Sequence, residues 1–393
     1  MKQKTNLITV VLFLTLLFGF SLAFFLMPDR AFSEQENRSL RTFPPFTLER
    51  LCNGSFGDDI NDYFADQFPL RDSLVGWKGV TELGLGKGEN DGVLLGKNGQ
   101  LAKRLYEIKT VDGEKIAVAL DTFDPARIEA ATNGINRLSQ NLEVPLTVFL
   151  TGRTIDVAAS AFSYPTEQSD ALLSAIYREI DPSVEALNSV PMFRARYDSG
   201  EYVYYKTDHH WTTRGAYYAY TELMRTWGME DEILPISAFS RETVSDSFYG
   251  TAWSAAGMKF VKPDTMEIWY RGNERDFSVV ADGVALDCGL YNLDYLAKKD
   301  KYSTFLDGTH DVVTVTKKGE QTRPTLLILK DSFANAAAPF LAQHFDLVLL
   351  NLSSVRGDFS NVSALAGEYQ ADRVLLLYTV ENLVTASKLD DLH

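Results

Sequence analysis

A chain of 393 residues with 45% hydrophobic and 12% aromatic content can bury a sizeable core and is too apolar to be disordered. Its 53 acidic and 38 basic residues leave a formal net charge of −15, which repels nucleic acid and favours a neutral or locally recruited substrate. With only Cys52 and Cys288, a zinc-type spacing and a dense disulfide framework are excluded, and one bridge between the two remains an option.

In chain order, Lys2 and Lys4 come first, followed by an uncharged, mostly apolar run from Leu7 to Met27. A bilayer core takes roughly 20 apolar residues, whereas the apolar region of a cleaved signal peptide is about 7–15. Residues 6–27 therefore read as an uncleaved transmembrane anchor, although Ala31-Phe32-Ser33 has the look of a cleavage site. The leading lysines put residues 1–5 in the cytoplasm and everything after the anchor outside. Residues 28–85 are expected to form a juxtamembrane arm and a helical segment. From Pro28 to about Glu49 the chain is polar and proline-punctuated, as in an arm that lifts the body off the bilayer. From Phe56 to Leu83 the periodicity is helical, with Ile60, Phe64, Phe68, Leu74 and Trp77 available for one face.

The main domain is expected over 86–393. It opens with Asn-Asp-Gly and Lys-Asn-Gly turn signals around Val93–Leu95, a hairpin signature. Apolar runs at 146–150, 326–329, 347–350 and 374–378 read as buried parallel strands. Helical stretches at 125–140, 170–187, 213–227 and 334–344 fall between or beside them. Such alternation predicts an α/β sandwich with a mostly parallel sheet. Residues 233–321 break the rhythm and read as an irregular or β insertion.

Two short segments carry chemistry. Of five histidines in the chain, two sit in Lys206-Thr207-Asp208-His209-His210-Trp211-Thr212. An acid two residues before a histidine can accept the Nδ1 proton, fix the tautomer and leave Nε2 as a base. The same segment also suits a plain helix cap by Asp208 or Thr212. The second segment, Leu326 to Asn335, is an apolar strand ending in Lys330-Asp331-Ser332 before a small-residue helix. A serine at the carboxyl end of a parallel strand faces the crevice where open α/β sheets bind ligands, and the helix amino terminus offers N–H groups to an oxyanion. Serine needs a neighbouring base to act as a nucleophile, and His210 is the candidate. An ordinary N-cap at Asp331 or Ser332 is the alternative.

Together these residues resemble the DHHW protein family, related to the SGNH hydrolase-like alginate O-acetylating proteins. The resemblance rests on Asp208-His209-His210-Trp211, Tyr63 to Asp72, Asn90-Asp91-Gly92-Val93, Phe248-Tyr249-Gly250, Tyr302-Ser303-Thr304-Phe305 and Lys330 to Asn335. It implies an SGNH-hydrolase-like α/β/α fold with permuted motif order, in which Ser332, His210 and Asp208 form a catalytic triad. It further implies transfer of acetyl through an acyl-serine to a hydroxyl of an envelope or exported polysaccharide. A multispanning membrane acyltransferase is the implied acetyl donor, and no cofactor or metal is called for. His209, Trp211, Tyr249 and Arg356 are the candidate substrate contacts, Arg356 because this chain has Asn351-Leu352-Ser353-Ser354 where relatives carry Asp-Leu-Arg-Tyr. The Ser332 N–H is the first candidate oxyanion donor and the Tyr249-Gly250 loop the second. Alternating Tyr202 and Tyr204 with Tyr205 read as half-buried sheet residues or as a sugar platform.

Three other functions compete. An acetyl-esterase would use the same triad with water as acceptor. A non-catalytic envelope binding or scaffold protein would keep the fold alone. A metal-dependent phosphoesterase is suggested by Asp-His-His, but it needs further upstream histidines, and none precedes His209.

Overall fold

The computed structural model describes residues 2–393 apart from 34, 37, 87–88, 91, 104–105, 112–113, 120–124, 163–166, 321, 353–359 and 386. The chain divides into two compact units, residues 1–90 with 254–260, and residues 91–253 with 261–393.

The first unit begins with helix α1, Lys2–Leu26, whose Asn6–Leu26 stretch is long and apolar enough to cross a membrane. The expected helical segment is two helices, α2 (Ser55–Asp66) and α3 (Arg71–Gly84). Pro69 disfavours helical backbone at Phe68, and Leu70 turns the chain through a left-handed φ of 61°. Ion pairs fasten the segment after α1 onto these helices. Arg38 meets Asp66 at 2.5 Å, Arg71 meets Glu36 at 2.5 Å and Arg30 meets Asp72 at 2.8 Å.

The second unit is built on one eight-stranded sheet. Its strands are β1 (Leu146–Thr151), β2 (Glu185–Asn188), β3 (Phe277–Ala281), β4 (Val284–Leu286), β5 (Val312–Lys317), β6 (Thr325–Lys330), β7 (Asp346–Asn351) and β8 (Arg373–Thr379). Their spatial order is β4-β3-β5-β7-β6-β8-β1-β2. From β7 to β2 every pairing is parallel, and β5, β3 and β4 continue the sheet in antiparallel fashion. The stretch expected as an insertion thus supplies three strands of the main sheet. Phe277, Val279 and Ala281 alternate with less buried neighbours, the pattern of a strand that has lost the double cover of the central ones. A further hairpin, Ser240–Phe248 with Asp264–Tyr270, comes from the same stretch, and the early hairpin pairs Val93–Leu95 with Leu101–Lys103.

The helices of this unit include α4 (Pro125–Asn141), α5 (Glu167–Glu179), α6 (Thr213–Thr226), α7 (Phe333–Leu341), α8 (Val362–Glu368) and α9 (Val380–Thr385). The helix expected to reach Leu187 ends before Pro182, and Leu187 lies in edge strand β2. Each central strand sends alternate residues to opposite faces. Phe149, Ile328, Leu349 and Leu377 join one core with α6 and α7, while Val148, Leu327, Leu350 and Leu376 join a second with α4, α5, α8 and α9. Two apolar faces, each covered by helices, make an α/β/α sandwich, and both cysteines are free.

Candidate active site

Strand β6 is buried on both faces and ends where Lys330 gives way to Asp331 and Ser332. The buried Asp331 carboxylate takes the N–H of Phe333 at 3.1 Å, the N–H of Thr379 at 2.7 Å and the Asn382 amide at 2.9 Å. It therefore ties the ends of β6 and β8 and is a structural knot. Ser332 already has helical backbone, φ −65° and ψ −18°, and stands at the amino terminus of α7.

The histidine segment is equally constrained. Tyr204 and Trp211 form an isolated antiparallel bridge, and the Tyr205 N–H donates to the His210 carbonyl at 3.1 Å. Buried Asp264 accepts the N–H groups of Lys206 at 2.9 Å and Thr207 at 2.7 Å, together with the Tyr202 hydroxyl. Burial raises the Asp264 carboxyl above its usual range despite these donors. Thr212 caps α6 by accepting the Gly215 N–H at 3.2 Å. The capping reading and the tautomer-fixing geometry are thus both realised, by different residues.

Asp208, His210 and Ser332 come together in this framework. Asp208 Oδ1 lies 2.5 Å from His210 Nδ1, and His210 Nε2 lies 2.6 Å from Ser332 Oγ. Asp208 also accepts the His210 N–H at 3.0 Å and the Thr251 N–H at 2.8 Å. Burial pushes the Asp208 carboxyl up, but the two imidazoles and the hydrogen bonds outweigh it and hold the group below its usual range, hence ionised. The His210 ring is stacked on Tyr302, centroids 3.7 Å apart and planes at 9°. Asp208, His209 and His210 also form a cluster of the kind that can hold a metal. Here both His210 nitrogens and both Asp208 oxygens are engaged in hydrogen bonds, an arrangement suited to passing a proton.

A cleft of about 110 Å³ opens over Ser332 and is lined by His209, Lys103, Arg153, Glu381 and Asn382 among others. His209 hydrogen-bonds Thr251 Oγ1 through Nδ1 at 2.7 Å, and its side chain keeps 38% exposure. Desolvation and the neighbouring His210 disfavour its cation, so its pKa is lowered. The Arg153 guanidinium is held by Asp156 through contacts of 2.9 and 3.0 Å. Glu381 is pushed up by burial.

The other candidates fall elsewhere. Trp211 is fully buried and donates its indole N–H to the Phe333 carbonyl at 3.1 Å, so it fastens α7 and offers no face to a substrate. Tyr249 packs on Trp253 with centroids 4.4 Å apart and does not line the cleft. The Gly250 N–H donates to Thr207 Oγ1 at 3.1 Å and the Thr251 N–H to Asp208 at 2.8 Å, so neither amide is turned toward an oxyanion. Arg356 lies outside the described residues. Tyr204 and Tyr205 are fully buried, excluding them as a sugar platform. Lys330 is buried beneath the site and bonds Asn335 Oδ1 at 2.7 Å, while burial pushes its pKa down to about 8. Reading the sequence missed Arg153, Glu381 and Lys103, which have no motif spacing and meet beside Ser332 only in the folded chain. Tyr302 was visible in a motif, but nothing local assigned it to the histidine.

The DHHW protein family model matches residues 141–351. A DHHW family protein from Eubacterium siraeum superposes with a TM-score of 0.55 at 19% identity, covering 76% of this chain and 97% of that one. Bacillus cereus PatB1, solved with a sulfonyl adduct, superposes with a TM-score of 0.60 at 21% identity, covering 73% of this chain and 99% of that one. No curated protein sequence matches. The fold is that of an SGNH-hydrolase-like α/β/α sandwich.

Proposed function

The chain belongs to the DHHW protein family, and from that premise we propose that it is an extracytoplasmic serine acyltransferase that moves acetyl to a hydroxyl of an envelope or exported polysaccharide. The observation that carries the proposal is the 2.6 Å contact between His210 Nε2 and Ser332 Oγ, within general-base range. Ser332 Oγ attacks the acyl carbonyl as its proton passes to His210 Nε2, and Asp208 stabilises the imidazolium through Nδ1–H. The Ser332 N–H at the α7 amino terminus is the donor we assign to the oxyanion, where the helix dipole adds favourable field. Departure of the donor group, protonated by His210, leaves an acyl-serine. An acceptor hydroxyl then gives its proton to His210 and takes the acyl group, restoring Ser332.

Support for an acetyl donor and a glycan acceptor comes from the motif resemblance to the alginate O-acetylating proteins. In this reading His209 contacts substrate, Arg153 and Lys103 flank the acceptor side of the cleft, and α1 anchors the body beside a multispanning membrane acyltransferase. An esterase would share the covalent step and differ in accepting water.

The test is covalent labelling. A sulfonyl fluoride, suggested by the adduct on PatB1, and an activated acetyl ester should both modify Ser332, read by peptide mass spectrometry, and His210→Ala should abolish the labelling. A folded protein that takes neither reagent would sink the serine mechanism. Acetylated protein that discharges faster to oligosaccharide than to water would separate transferase from esterase.

A further inference from the structure

We propose that the end of α2 and the outward face of α3 lie in the headgroup layer of the lipid bilayer, so that the helical unit is seated on the membrane surface. The inference rests on reading α1 as a membrane span, and it departs from the spacer role that the proline-punctuated sequence suggests.

Three observations within this unit converge. The first is the contact of α1 with the end of α2 and the turn that follows it. Phe20 stacks on Phe68 with centroids 5.3 Å apart, and Phe24 meets Phe64 at 4.9 Å. At about 1.5 Å per helical residue, Phe24 lies only ~3 Å and Phe20 ~9 Å below Leu26, where the span ends. The residues that touch them therefore sit near the hydrocarbon boundary. Phe64 and Phe68 are nevertheless 45% and 42% exposed, a poor arrangement in water and a good one in lipid.

The second is the polarity of α3. The face packed within its unit is glycine, where Gly76 adjoins the Lys259 stem and Gly79 adjoins Asn90 and the Ala256 carbonyl. Its exposed side shows Leu74 and Trp77, with Trp77 at 75% exposure, Val80 flanks them, and Leu70 and Leu85 extend it at both ends. Lys78 is the charge exposed among them, and a lysine at the headgroup layer keeps its stem in apolar surroundings and its ammonium in the polar layer. An outward tryptophan flanked by leucines matches an interfacial helix, whose indole suits the headgroup level. The third is an apolar groove of about 600 Å³ bounded by Leu17, Phe20, Phe24, Phe64 and Phe68, whose only hydroxyl-bearing wall residue, Ser21, bonds back to the Leu17 carbonyl at 2.8 Å. An acyl chain is the ligand such a groove would take, because its α1 wall already belongs to the span.

The experiment uses the full-length chain, one copy per nanodisc of neutral and anionic phospholipid, in a Cys52→Ser, Cys288→Ser background. An environment-sensitive fluorophore is attached at Trp77→Cys or, separately, at Phe13→Cys inside α1; both native side chains are exposed. Nitroxide lipids labelled at the headgroup or mid-chain serve as quenchers, and iodide reports access from water. We expect the position 77 probe to lose most of its emission to headgroup nitroxide and to resist iodide, and the position 13 probe to be quenched from mid-chain. Iodide access at 77 with quenching at 13 would overturn the surface seat while leaving the span intact. Quenching at neither position would overturn both. Shielding at 77 from iodide and nitroxide alike would mean a protein cover and would overturn the lipid assignment.

Discussion

The aromatic ring of Tyr302 lies flat against the imidazole of His210, centroids 3.7 Å apart and planes at 9°, on the ring that links Asp208 to Ser332. Tyr302 is buried, so its face is available to His210 and not to solvent. In the proposed mechanism the imidazole becomes a cation during attack, and an aromatic face over a desolvated cation contributes about 0.5–2 kcal/mol. Tyr302→Leu should lower kcat roughly tenfold with KM little changed, and Tyr302→Phe should retain most of the rate. Steady-state kinetics on an activated acetyl ester checks this. Equal losses in both variants would assign the effect to the hydroxyl.

Ser332→Ala and His210→Ala should each cost about four orders of magnitude or more in kcat, and the double variant little more than either alone, because the residues act as a unit. Asp208→Asn should retain the fold and lose about 10⁴-fold through the wrong imidazole tautomer. Single-turnover acylation rates measure all four. Losses that multiply would count against a shared step.

Gly250 backs onto the triad acid, and a Cβ built there would sit 2.2 Å from Asp208 Cβ and 2.3 Å from Oδ2. Gly250→Ala must displace the carboxylate or the loop, and a displacement near 1 Å is worth roughly 10²-fold in rate. The expected result is a large fall in kcat with a folded protein by circular dichroism. Unchanged kinetics would show that the loop yields without moving Asp208.

Lys330 titrates at about 8 in the folded protein, against 10.5 as the ordinary value, because burial disfavours its cation. The unfolded chain therefore binds more protons between these values, and stability should rise as pH increases from about 8 to 10.5, by up to roughly 3 kcal/mol. Urea unfolding of wild type and Lys330→Met over that range tests the sign. The rise should be smaller in the variant, and an identical slope in both proteins would place its origin elsewhere.

Much of the fold is legible in the sequence. The runs at 146–150, 326–329, 347–350 and 374–378 are continuous apolar segments of strand length, and each is a parallel strand of the sheet. Residues 233–321, expected as an irregular or β insertion, do contain β structure, but nothing in their short or alternating runs says that three of the strands join the main sheet. Their membership is set by pairing outward from β7, with β5 on β7 as when Val313 meets Leu349, β3 on β5 and β4 on β3, and not by their own pattern. The helical periodicity from Phe56 to Leu83 was real, but Phe64, Leu74 and Trp77 remain exposed, because periodicity identifies a face without saying what covers it.

The sequence by itself determined the apolar amino-terminal helix, the α/β class and the chemical identities of Asp208, His210 and Ser332, since these follow from local hydrophobic period and from short motifs. Only the tertiary structure decided that His210 and Ser332, 122 residues apart, share a hydrogen bond. It also removed Trp211 and the Gly250 amide from the candidates and brought Tyr302, Arg153 and Glu381 to the site. The reason is physical: local pattern sets backbone conformation and which face is apolar, whereas proximity between distant side chains depends on strand order and register, which the whole core selects at once.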